Sequence, residues 1–133
     1  MYLTVLIFVL LVGVLAFVRL APSEPDRWHV PVVATSSSDG VGKATRVIEA
    51  APDALVRVDA AARALPRTTV LAGSVEEGRI TYVTRSAAIG FPDYTTVEYS
   101  DGRLKMYARL RFGRSDFGVN RERLERLLRA AEG

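Results

Sequence analysis

Arg103-Leu-Lys-Met-Tyr-Ala-Arg-Leu-Arg-Phe112 alternates without a break, and Gly113-Arg-Ser-Asp-Phe-Gly-Val-Asn-Arg-Glu-Arg-Leu-Glu-Arg-Leu-Leu-Arg-Ala-Ala131 follows directly. In the first stretch Leu104, Met106, Ala108, Leu110 and Phe112 share one face of a strand. Lys105, Tyr107, Arg109 and Arg111 share the other. Successive strand side chains point to opposite faces, so the pattern predicts one buried and one wet face, as in an antiparallel sheet. In the second stretch the period changes. Leu124, Leu127, Leu128 and Ala131 recur at helical spacing and predict a helix from about Val119 to Ala131. Glu122/Arg126 and Glu125/Arg129 stand four residues apart in the orientation that favours helical ion pairs. The apolar stripe of the helix and the apolar face of the strand cover each other. The expected fold is therefore α+β, an antiparallel sheet of four to five strands with two helices packed on one face.

The preceding sequence supplies the other elements. Ser100-Asp101-Gly102 is a hairpin signal, because Asp-Gly tolerates the positive φ angles of a type I′ turn. It joins the strand Arg103–Phe112 to a strand Tyr94–Tyr99. Ala88-Ile89-Gly90-Phe91-Pro92-Asp93 interrupts the pattern as a loop or bulge. Arg79–Arg85 and Thr68–Ser74 read as two strands around the turn Glu76-Glu77-Gly78. Leu55, Val58, Ala62 and Leu65 mark an amphipathic helix from Pro52 to Leu65, ended by Pro66. Thr45–Glu49 is a short strand.

Met1 to Val18 is apolar except for Thr4 and Gly13, and extends to Ala21 if Arg19 snorkels to the interface. That length spans a bilayer, and the segment lacks the polar face of a soluble core helix. A signal peptide would carry a basic start, and Pro22 disfavours cleavage after Ala21. Residues 1–21 are therefore expected to be a retained transmembrane anchor. Residues 22–44 follow as a Pro- and Ser-rich tether, with Pro22, Pro25 and Pro31 stiffening its first part. Trp28 in this tether is placed at the membrane interface or against the domain, and His29 is read as incidental. Residues 45–133 form the domain. Arg19 and Arg27 after the apolar run favour a cytoplasmic domain by the positive-inside rule.

Familiar catalytic chemistry finds little support. With no cysteine there is no disulfide or thiolate site, and the single histidine excludes a His-rich metal centre. No Ser-His-Asp set can be assembled around His29. Gly40-Val41-Gly42-Lys43 fails as a phosphate loop, since Ser37 and Ala44 occupy the positions of the first glycine and the final Ser/Thr. No catalytic residue, metal or cofactor is expected. The alternative is an enzyme using Asp93 and Asp116 as acid and base, which requires the fold to bring them together.

The formal net charge is +3, unevenly spread. Acidic residues predominate from Leu20 to Gly102, and basic residues predominate from Arg103 onward. A solvated face accounts for this and is preferred; the alternative is a basic surface for anionic lipid or another anionic partner. The run Gly113–Arg123 also admits two readings. In one, Asn120 caps the last helix, Asp116 or Ser115 caps an earlier turn, and Gly113 and Gly118 supply positive φ. In the other, the free amides of the helix N-terminus join Arg114, Ser115, Asp116, Asn120 and Arg121 around an anion. The cap reading is preferred, because capping alone uses most of these residue types. Gly90-Phe91-Pro92-Asp93 is likewise a bulge or the rim of a pocket.

These two segments together resemble the bacterial domain of unknown function 1499 family. The family shows a Phe-Pro-Asp-like turn and a Gly-x-Ser-Asp-x-Gly-x-Asn-x-x-Arg-like run before its last helix. Gly90, Phe91, Pro92 and Asp93 fall on the first, and Gly113, Ser115, Asp116, Gly118, Asn120 and Arg123 fall on the second. The resemblance covers roughly residues 45–133 and implies a small α+β domain with no assigned activity. It also implies an extracytoplasmic domain, against the lean of Arg19 and Arg27. Both sides stay open, with the periplasmic side preferred. The expected function is a membrane-anchored, non-catalytic binding module of the bacterial envelope, at the inner membrane. Its partners would be the membrane through residues 1–21 and an anionic lipid, small anion or protein, not a nucleic acid. The remaining alternative is a structural or assembly protein with no small ligand.

Overall fold

In the computed structural model, which describes residues 1–133, four strands run as a meander. They are β3 (Thr68–Ser74), β4 (Arg79–Arg85), β5 (Pro92–Ser100) and β6 (Arg103–Leu110), each antiparallel to the next. Asp101 and Gly102 turn β5 into β6 at φ of 54° and 76°, the values an Asp-Gly hairpin tolerates. β2 (Lys43–Glu49) pairs with the other edge of β6, and β1 (Ser38–Gly40) pairs with β2. The sheet therefore has six strands in the order β1-β2-β6-β5-β4-β3. The additional strand, β1, has the sequence Ser-Asp-Gly and is fully exposed. It pairs with β2 through the backbone and through the carboxylate of Asp39 on Arg46, so no apolar periodicity marks it.

Both long helices lie on one face, as expected. α3 (Asp53–Arg63) buries Ala54, Leu55, Val58 and Ala62, and α4 (Val119–Glu132) buries Leu124, Leu127 and Ala131. They close over Leu104, Met106 and Ala108 of β6, Val97 of β5, and Ile80 and Tyr82 of β4. Tyr82 keeps its hydroxyl satisfied by donating to Asp59 of α3 at 2.6 Å, and burial raises its pKa. The expected ion pairs along α4 do not form. Glu125 turns inward to Arg46 of β2 at 2.7 Å, and Arg46 also holds Asp39 of β1 at 2.7 Å. A guanidinium largely withdrawn from water draws these carboxylates more strongly than exposed Arg129 can.

The opposite face departs from expectation. It was expected to be wet, yet residues 21–33 lie across it. α2 (Pro25–Trp28) is a single turn begun by proline. It places Trp28 flat on Tyr94, with ring centroids 3.8 Å apart and planes 11° apart. Arg109 lies beneath, buried, donating to the Trp28 carbonyl at 2.6 Å and to Thr96 Oγ1 at 2.9 Å. It has no carboxylate partner, and burial lowers its pKa to about 10. His29 is not incidental: its ring bonds Thr81 and Glu77, each at 2.9 Å. Beyond it the Val32 amide donates to Glu98. The segment read as a semi-stiff tether is thus a strap docked on the sheet. Prolines predict its extended backbone, but the docking depends on β4, β5 and β6 presenting partners to Trp28 and His29.

Gly73 makes room for the strap. It follows a bulge in β3 at φ +88°, and an added Cβ would lie 2.0 Å from the Arg79 carbonyl oxygen and 2.6 Å from the His29 ring. α1 (Tyr2–Leu20) is long and apolar enough to cross a membrane, a criterion that a signal sequence also meets. Its last turn touches the domain. Val18 is buried, and Phe17 meets Phe112 edge-on at 6.0 Å.

Candidate functional site

The strand-to-helix run and the Phe-Pro-Asp turn meet at one end of the sheet. The register explains why. Asp93, at the start of β5, sits opposite Leu110 at the end of β6, so the loop entering β5 and the loop leaving β6 are neighbours. α4 begins above them. Between these parts is a cavity of about 500 Å³. Phe91 and Asp93 come from the first segment, and Phe112, Ser115, Asp116 and Phe117 from the second. Arg67, Arg85 and Ser86 close it from the β3–β4 side, and Arg123 from α4.

A polar chain reaches the cavity through Asp93 and Arg123. Asn120 and Arg123 are three residues apart on α4 and therefore share a face. Asn120 is completely buried, donating through Nδ2 to the Gly42 carbonyl at 3.4 Å and accepting from Arg123. Arg123 also faces Asp93, 3.5 Å away. Burial raises the Asp93 pKa and lowers that of Arg123, and each charge partly offsets the other's shift. The chain ties the β1–β2 turn, α4 and β5 together. Asn120 is therefore not the helix cap. Gly118 occupies that position in the left-handed region at φ 79°.

Asp116 does the capping from two residues further back. Its carboxylate accepts from the Gly118 amide at 2.9 Å and the Asn120 amide at 3.1 Å. Ser115 Oγ accepts more weakly from the Phe117 amide at 3.3 Å. Asp116→Ala is expected to lower stability by about 0.5–2 kcal/mol, the usual range for a lost cap. Thermal unfolding of the full chain followed by circular dichroism measures this.

The proposed ligand residues thus separate. Ser115, Asp116 and Asn120 serve the local fold, although the first two also line the cavity. Arg114 and Arg121 are exposed and outside this cavity. Arg121 instead borders a neighbouring depression with Lys43 and Gly118. The free cations of the cavity are Arg67 and Arg85, which neither motif contains. Neither has a carboxylate within salt-bridge distance. Arg67 Nε donates to the Arg85 carbonyl at 2.9 Å, and Arg85 Nη1 to the Gly90 carbonyl at 2.9 Å. Arg67 holds φ at 52°, which costs a non-glycine residue conformational energy.

Asp93 and Asp116 do share the cavity, and the negative charge of Asp116 contributes to the raised pKa of Asp93. Both carboxylates are already engaged, Asp93 with Arg123 and Asp116 with two amides. The family model described as "Protein of unknown function (DUF1499)" matches residues 20–130. The match takes in the strap, the sheet and both motif segments. No curated protein matches the chain.

Proposed function

The chain belongs to the DUF1499 family, and from that premise we propose that it is a membrane-anchored, non-catalytic binding module of the bacterial envelope. Its ligand is an anion with an apolar portion, seated in the cavity between the two motif segments. The observation that carries this reading is the lining. Two arginines without carboxylate partners line the cavity together with Phe91, Phe112 and Phe117. A cavity of this kind offers both charge-assisted hydrogen bonds and apolar contact. α1 supplies the anchor, and the domain lies on the periplasmic side of the inner membrane.

The test titrates the full chain, held in nanodiscs of zwitterionic lipid, with three probes. These are dihexanoyl phosphatidylglycerol, dihexanoyl phosphatidylcholine and inorganic phosphate. Phosphatidylglycerol should bind best. Arg67→Ala and Arg85→Ala should each weaken it by about tenfold or more, the equivalent of one charged hydrogen bond. Equal binding of all probes, or wild-type affinity in both variants, contradicts the reading. Catalysis by Asp93 and Asp116 draws support from their common cavity. The ion pair of Asp93 and the two amide bonds of Asp116 weigh against it, since an acid–base pair must be free to exchange protons with a substrate.

A further inference from the structure

The cavity mouth carries apolar side chains that the fold does not use. Phe117 is 96% exposed and holds φ at 54°, a conformation that glycine or asparagine adopts at lower cost. A bare, strained aromatic contributes nothing to the core and leaves its ring available to a partner surface. Ile89, Phe91 and Val119 are exposed beside the same cavity or in the loop that borders it. Arg114 stands exposed in the same loop as Phe117.

The position of α1 says what this rim faces. Phe112 lines the cavity and packs on Phe17, about 4.5 Å along the axis from the end of α1. Arg19, the first charge after the apolar run, lies against Gly90, within 3.1 Å of where its Cβ would be. In a helix that spans a bilayer, that charge marks the boundary between hydrocarbon and headgroups. The loops around Gly90 and Phe112 touch the same turn and therefore lie at that depth. Resting on the anchor and cavity proposed above, we infer that this rim docks on the bilayer and that the cavity takes an anionic phospholipid from the adjoining leaflet. Phe117, Phe91 and Ile89 enter the interfacial layer, where aromatic and apolar side chains are stabilised. Arg114 and Arg19 meet anionic headgroups, and Arg67 and Arg85 receive the phosphate of the lipid drawn into the cavity.

The experiment places an indole at each end of the sheet. Phe117→Trp and Ser100→Trp are made separately in a Trp28→Phe background, which leaves an aromatic ring to stack on Tyr94. Ser100 ends β5, about 26 Å from Pro92 at the rim. The full chains are reconstituted in phosphatidylcholine vesicles with brominated acyl chains, with and without phosphatidylglycerol. The indole at position 117 should lose most of its emission, more so with phosphatidylglycerol, while the one at position 100 keeps its emission. Equal quenching at both positions, or none at 117, overturns the inference. Circular dichroism confirms that each variant is folded. The two readings fail separately. Probe binding without quenching at 117 retains the ligand site and removes the membrane-facing rim. Quenching at 117 without any selective binding of phosphatidylglycerol retains a docked rim and removes the lipid from the cavity.

Discussion

Replacing Arg123 by alanine is expected to lower the stability of the full chain by about 3–5 kcal/mol, the range for removing one partner of a buried pair. The side chains of Arg123 and Asp93 are only 10% and 16% exposed. Without Arg123, Asp93 keeps its burial and loses the cation that opposes the rise in its pKa. Asn120 loses the donor to its Oδ1 at the same time. The sign of the pH effect follows. A carboxyl whose folded pKa lies above its ordinary 3.8 contributes stability that is complete below that value and lost as pH rises through the folded one. The deficit of Arg123→Ala should therefore be larger at neutral pH than in mild acid. Asp93→Asn in the same background should recover part of it at neutral pH, because no unpaired buried charge then remains. Urea unfolding followed by circular dichroism at both pH values reads all of this. A deficit independent of pH would show that Arg123 acts through packing alone.

Trp28→Ala should cost a similar amount, about 3–5 kcal/mol, as for other buried aromatic truncations. Trp28 is 8% exposed, stacked on Tyr94, and within cation–π distance of Arg27 and Arg109. The loss is not confined to its own contacts. Arg109 is anchored by the Trp28 carbonyl, and once the strap shifts, its charge faces the sheet with only Thr96 and the Tyr107 carbonyl as acceptors. Residues 21–33 should then become cleavable by protease while the rest of the domain stays resistant. A strap equally protected in wild type and Trp28→Ala would mean that His29 and Val32 hold it without the indole.

The helix face of the sheet was legible in the sequence because it is written as periodicity. Leu104, Met106 and Ala108 alternate, Leu124 and Leu127 recur at helical spacing, and their burial follows. The Asp101-Gly102 turn was legible for a local reason, its tolerance of positive φ. The other face was not. Lys105, Tyr107, Arg109 and Arg111 read as solvated because nothing nearby in sequence covers them. Arg109 meets Trp28 across 81 residues. A lone tryptophan and histidine between prolines were the available sign that the segment docks.

The site was half legible. The two glycine-containing motifs proved to be neighbours, but their polar residues mostly hold one another. Asn120 looked like a cap because of its residue type, yet the helix starts earlier, Asp116 takes the amides of Gly118 and Asn120, and Asn120 is buried within the helix. Arg67 and Arg85 carry no motif signature. They face the cavity only because β3 and β4 bring them beside the β5 entry loop.

The central claim, that this cavity binds an anionic amphiphile, is tested most directly by hydrogen exchange during the dihexanoyl phosphatidylglycerol titration of the full chain in zwitterionic nanodiscs. Amides of residues 84–93 and 111–123 should exchange more slowly as the probe binds, while those of the 99–104 hairpin at the far end stay unchanged. Binding with no slowing in those two segments, or slowing equally shared by the hairpin, would contradict it.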